Sequence, residues 1–165
     1  MGDLVRFQLG ARRGFRRGTS ATALYRDGCA QEAVDPVAAA RCYERALAGR
    51  PDLADAHNNL GRVIHESDSP GRLARAESHY RLAICIEPEV ALYWFNLGVA
   101  VEDQGRSSEA IAAYEMALSL DGALADAHFN LARLLEIVGR RGTDELTLRR
   151  AMRHLVSYKN LGRAG

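Results

Sequence analysis

The chain of 165 residues has no run of 18 apolar residues, and Met1 to Ser20 has no apolar stretch of the kind a secretory signal carries. The sequence therefore predicts neither a membrane-spanning helix nor export. Cysteine is scarce: Cys29, Cys42 and Cys85 are odd in number and dispersed, and no two have C-x2-C spacing. That excludes a disulfide framework and predicts buried or half-buried free thiols in a reducing compartment, the cytoplasm. Catalytic and ligand-binding signatures are missing as well. His65-Glu66 has no second histidine at the H-E-x-x-H spacing, there is no glycine-rich phosphate loop, and the histidines at 57, 65, 79, 128 and 154 form no metal or triad pattern. The expectation is a chain with no active site, no metal and no cofactor.

Recurring letters are what the sequence does have. Trp94, Leu97 and Val101 fall at i, i+3 and i+7, one stripe of a helix. Ala110, Tyr114 and Ala117 fall at i, i+4 and i+7, a second stripe, beyond a polar turn at residues 103–108. Gly98 and the two alanines let backbones approach, while Trp94 and Tyr114 fill the space between helices. Gly105 suits the left-handed position that ends a helix. Upstream, ADAHNNLG supplies His57, Leu60 and Gly61, followed by Ala76, Tyr80, Ala83 and Pro88. Further upstream, Gly28 is followed by Ala39, Tyr43, Ala46 and Pro51; downstream, ADAHFNLA supplies His128, Leu131 and Ala132. The small residues at 28, 61, 98 and 132 step by 33, 37 and 34. His57 and His128 take the slot of Trp94 and are expected to pack between helices.

The spacing W-x2-L-G followed by A-x3-Y-x2-A resembles the tetratricopeptide repeat, a helix–turn–helix unit of 34 residues. Val101 stands where that family has an aromatic residue, and Gly122 stands where a proline closes the unit. The resemblance implies an all-α, right-handed solenoid over residues 21–162, in about four units. Unit 1 (21–53) is degenerate, with Asp27 where a leucine is expected, and Asp35-Pro36 opens its second helix as N-cap and first helical residue. Unit 2 (54–90) carries a loop at 67–71 before a helix from Arg72 to Ile86. Unit 3 is 91–124.

Unit 4 (125–162) reaches its second-helix alanine at Ala151, seven residues later than the third unit's spacing requires. Its first helix is expected to end at Val138 with Gly139 as cap. In the last helix Leu148, Met152, Leu155 and Val156 are expected to face inward, and Arg149, Arg150, Arg153 and His154 outward. That basic helix could also rest on a membrane, but its apolar face is assigned to the repeat.

Charge is unevenly spread. Residues 1–20 carry five arginines against Asp3 and read as a mobile basic leader. Residues 140–165 carry seven basic groups against Asp144 and Glu145. With a total of +1, residues 21–139 are left with −8.

In the family the resemblance points to, the first helix of each unit lines a concave groove that binds peptide. The residue two before the motif glycine then faces the groove: Asn59, Asn96 and Asn130, with Arg26 departing in unit 1. This is similar to the asparagine ladder of O-linked N-acetylglucosamine transferase. Arg62 and Arg133 follow the glycine position, and Phe95 and Phe129 precede it by three. The groove is thus expected to hold an extended, partly acidic protein segment on Asn59, Arg62, Phe95, Asn96, Phe129, Asn130 and Arg133. Gly61, Tyr80, Trp94, Leu97, Gly98, Tyr114 and Ala117 pack the repeats. A second reading has the asparagines bonding only neighbouring helices. The alternative function is a regulatory or truncated part of a nucleic-acid-associated protein acting through its basic ends.

Overall fold

A computed structural model describes residues 19–162. Eight helices follow one another: α1 (Ala21–Gln31), α2 (Pro36–Gly49), α3 (Ala54–Glu66), α4 (Arg72–Ile86), α5 (Ala91–Asp103), α6 (Ser107–Leu120), α7 (Ala125–Gly142) and α8 (Glu145–Leu161). They form four antiparallel pairs, and each second helix also packs on the first helix of the next pair. The architecture is an all-α solenoid. The basic leader lies outside the described residues except at its end, where Ser20 caps α1 by accepting from the Ala23 amide at 3.2 Å. Asp35 caps α2 in the same way, accepting from the Ala38 amide at 3.0 Å.

One contact repeats in the first three units. The tyrosine ring of the second helix packs against the motif glycine of the first. A Cβ on Gly28 would sit 2.5 Å from the Tyr43 ring, one on Gly61 2.9 Å from Tyr80, and one on Gly98 2.6 Å from Tyr114. The three tyrosines are almost wholly buried, as are Ala39, Ala76 and Ala110 one turn earlier. Glycine is required here for space, because real Cβ atoms do not approach an aromatic ring so closely.

A second repeated contact explains the histidines. The ring nitrogen at the Trp94 slot reaches the backbone carbonyl six residues earlier: His57 to Pro51 at 3.1 Å, Trp94 to Pro88 at 2.8 Å, and His128 to Gly122 at 3.2 Å. The slot selects a flat ring with an N–H at its far edge, which both residue types supply.

Several expectations need correction. Trp94 is only half-buried, and the buried aromatic of that turn is Tyr93, whose hydroxyl donates to Asp55 at 2.6 Å. Cys29 and Cys85 are exposed, because they fall outside the packed stripes of their helices. Helix α7 does not stop at Val138. It runs to Gly142 and ends at Thr143, which takes the left-handed conformation at φ 53°. Gly139 lies inside the helix, where a Cβ would meet Leu148 at 3.0 Å. The seven additional residues therefore lengthen the hairpin: relative to unit 3, α7 gains five and α8 three, while the turn is one shorter.

Helix α8 is also rotated from the expected orientation. Ala151 and His154 face inward, whereas Met152, Val156 and Leu155 are 68%, 55% and 38% exposed. His154 turns in because its Nδ1 meets that of His128 at 2.9 Å. The apolar stripe of α8 is thus not consumed by its own repeat, contrary to the sequence reading.

Candidate functional site

The first helices of successive units are tied together by amides. Asn96 Nδ2 donates to Asn58 Oδ1 at 2.8 Å, Asn58 Nδ2 donates to Asn59 Oδ1 at 3.1 Å, and Asn59 Nδ2 reaches the Tyr25 hydroxyl at 3.4 Å. This relay crosses α5, α3 and α1. It uses both ends of Asn59 and the donor of Asn96. Asn130 lies outside the relay, beside the Tyr114 hydroxyl. The ladder read from the sequence is therefore partly spent within the fold. Asn58, which is buried, is the centre of the relay and stands three residues before the motif glycine, in the slot that Phe95 and Phe129 fill in later units.

The two arginines are likewise engaged. Arg62 pairs with Glu32 across the first junction and with Glu66 at 3.3 Å; Glu32 also accepts from the Tyr43 hydroxyl at 2.5 Å. At the third junction Arg133 pairs with Glu102 at 2.5 Å, and Glu102 accepts from Tyr114 at 2.8 Å. Each is a Tyr–Glu–Arg clamp joining one unit to the next. Burial, reinforced by the carboxylate, pushes the Tyr114 hydroxyl well above its usual range, so it remains a donor.

The middle junction lacks this clamp. Val99 takes the arginine position and His65 the glutamate position, four residues after the motif glycine. His65 instead contacts Asp103 at 2.8 Å. Where the clamp would lie there is a cavity of about 560 Å³, lined by Arg62, Arg72, Tyr80, Phe95, Asn96 and Val99 among others. The Arg72 guanidinium there donates to the His65 carbonyl at 2.5 Å rather than to a carboxylate. Of the seven expected groove residues, Arg62, Phe95 and Asn96 meet in this cavity. Phe129 and Arg133 line a separate one of about 540 Å³ at the end of the stack. Asn59 and Asn130 line neither.

Two profiles described as tetratricopeptide repeat match the chain, one over residues 91–124 and one over residues 30–87. The chain belongs to the tetratricopeptide repeat family. The matched spans cover the second and third units and much of the first, the units in which tyrosine lies over glycine. Members of this repeat family serve broadly as protein-interaction scaffolds.

Among solved structures, a crystal structure of MamA is 18% identical, with a TM-score of 0.76 over 88% of this chain and 80% of that one. MamA 41-end from Desulfovibrio magneticus RS-1 is 21% identical, with a TM-score of 0.73 over 89% and 78%. The first tetratricopeptide domain of Spaghetti (RPAP3), bound to the HSP90 peptide SRMEEVD, is 20% identical, with a TM-score of 0.68 over 73% and 94%. At these identities the likeness is one of fold. No curated protein matches the chain. Among the described residues no helix is long and apolar enough to cross a membrane.

Proposed function

We propose that this tetratricopeptide protein is a non-catalytic scaffold that holds an extended protein segment in the cavity between its second and third units. The observation that carries this reading is the missing clamp. Where the other junctions are closed by arginine and glutamate, this one leaves about 560 Å³ bordered by aromatic, amide and guanidinium groups, with the carboxylates of Glu66, Asp68 and Asp103 at its edge. Asn96 donates inward to Asn58, which leaves its carbonyl oxygen as the acceptor for a peptide N–H. Phe95 and Val99, both half-buried, offer apolar surface for one side chain. Preference for an acidic residue moves from Arg62 and Arg133, which already hold Glu32 and Glu102, to Arg72. The Spaghetti domain, whose bound peptide contains two consecutive glutamates, is a precedent for this repeat fold holding such a segment. We assign the protein to the cytoplasm, where Cys29, Cys42 and Cys85 would persist as thiols.

The test is affinity capture with mass spectrometry, comparing the wild type with the Asn96→Ala/Arg72→Ala variant. Partners should be captured by the wild type and lost in the variant, with both proteins equally helical by circular dichroism. Identical capture lists would refute the cavity as the site. Steep, salt-dependent DNA binding would favour the nucleic-acid reading instead.

A further inference from the structure

The two ends of the stack differ. At the first unit, Asp27 and Gln31 are exposed at positions that later units give to buried Leu60, Leu97 and Leu131, and to Ile64, Val101 and Leu135. The first unit thus presents polar side chains where later units bury apolar ones. The fourth unit differs in the opposite sense. Leu155 occupies the position of Tyr43, Tyr80 and Tyr114, but those are at most 1% exposed and Leu155 is 38% exposed. The tyrosine of this unit stands three residues later, where Tyr158 meets Phe129 at 5.2 Å between ring centroids. Between α7 and α8 this leaves a cavity of about 540 Å³, floored by Phe129, Ala132, Leu148, Ala151, Met152 and Leu155. Glu136 is four residues past the motif position, as Glu32 and Glu102 are, but it pairs only within its own helix, with Arg140 at 2.6 Å.

We infer that this open end is a second docking site, which accepts an acidic amphipathic helix from another protein. The internal junctions show what fits such a surface: at each of them the first helix of the following unit packs on the preceding second helix and supplies apolar side chains to the shared core. Charge selects the occupant. Helix α8 carries Arg149, Arg150, Arg153 and Lys159 against Glu145, and Arg153 and Lys159 stand exposed beside the apolar stripe. A helix with apolar residues at i, i+3, i+4 and i+7 and flanking carboxylates would match both features.

A second copy matches neither. Two open ends meeting face to face would oppose two basic helices, and a head-to-tail contact would set the apolar stripe against Asp27 and Gln31. A concave cavity suits an inserted side chain, not a flat lipid surface. The site is distinct from the cavity between units 2 and 3.

The experiment uses the full chain and a fluorescent synthetic peptide of about 18 residues, five helical turns, with leucines on one stripe and glutamates elsewhere. A matched peptide with lysine in place of glutamate is the control. Fluorescence anisotropy should show saturable binding of the glutamate peptide and at least about tenfold weaker binding of the lysine peptide. Met152→Glu/Leu155→Glu should weaken binding by about tenfold or more, the effect of removing interface anchors.

Arg153→Glu/Lys159→Glu, which leaves the apolar floor intact, should reverse the preference between the two peptides. Asn96→Ala should leave this binding unchanged, which separates it from the groove reading. Equal binding of both peptides, or no effect of either double variant, would overturn the proposal. So would a dimer in sedimentation that Met152→Glu/Leu155→Glu dissolves, or binding to phosphatidylcholine–phosphatidylserine vesicles through the same residues in place of the peptide.

Discussion

The Nδ1 atoms of His57 and His79 face each other at 3.1 Å, and those of His128 and His154 at 2.9 Å. The carbonyl at Pro51 accepts from His57 Nε2, so in the neutral ring Nδ1 is the lone-pair side. His79 must then carry its proton on Nδ1. The same logic assigns His128 and His154 through Gly122. Each pair is satisfied when neutral, and two protons in one pair would set N–H against N–H.

Stability should therefore fall with acid. Burial holds His79 down at about 4, helped by His57 and by Arg75 on its own helix. Burial also lowers His57, and it lowers His154 together with His128, Arg150 and Arg153, against Glu115. The unfolded chain protonates these rings near pH 6.5, before the folded one. Their contribution is complete above that pH and is lost as pH falls toward 4. The melting temperature of the wild type should drop across this window. His79→Gln/His154→Gln keeps a side-chain donor without the titration, so its drop should be smaller; parallel curves would exclude the pairs as the cause.

Packing at the motif glycine predicts a cost for a single methyl. Gly98→Ala places a Cβ 2.6 Å from the Tyr114 ring. Overpacking of this kind costs about 1–3 kcal/mol, against about 1 kcal/mol gained in helix propensity. Urea denaturation should show a net loss. Alanine at the exposed turn residue Gly122 should change stability by less than about 0.5 kcal/mol.

The fourth unit offers the reverse experiment. There alanine and leucine replace glycine and tyrosine together, a larger floor under a smaller side chain. Leu155→Tyr alone should meet the Ala132 methyl and gain nothing. Leu155→Tyr with Ala132→Gly should recover the contact of the other units, so the two changes should be coupled by about 0.5–3 kcal/mol in a double-mutant cycle.

Tyr93 and Trp94 should rank opposite to their sizes. Tyr93→Ala removes a side chain 1% exposed and its bond to Asp55, within the range of about 3–5 kcal/mol for buried aromatics. Trp94→Ala, at a half-buried site, should cost less. Chemical denaturation of the two variants decides the order.

Deleting residues from Asp144 onward should uncover Leu131, Leu134 and Leu135, each now at most 3% exposed. The truncated chain should aggregate, visible as light scattering at concentrations where the full chain stays clear. A soluble truncated protein melting as before would show that α8 is dispensable.

The unit pattern was legible because glycine, tyrosine and alanine recur at fixed steps, and α1 to α6 carry them in pairs. Helix α4 spans Arg72 to Ile86 as the apolar spacing and Pro88 require. The C-terminal end of α7 was not legible, because Gly139 looked like a cap and its actual role is to make room for Leu148. The orientation of α8 was ambiguous for a different reason. Leu148 packs inward on Gly139 as its place in the stripe requires, whereas Met152, Leu155 and Val156 do not, because Ala151, His154 and Tyr158 take the face toward α7. At the candidate site, sequence position identified Arg62, Phe95 and Asn96. It could not reveal that Glu32 and Glu102 neutralise the arginines, since those partners lie about thirty residues away, in the preceding units.

The lengthened hairpin of α7 and α8 has a mechanical outcome. Five extra helical residues at a rise of 1.5 Å each carry its turn roughly 7–8 Å beyond the other turns, past the packing of the neighbouring unit. The projecting tip contains Gly139, Gly142 and the exposed pair Arg140-Arg141. Glycine makes the last turn prone to fray, and arginine is what trypsin recognises. Among the eight helices, limited digestion should therefore cut first at this tip and separate the last helix before any other unit is touched.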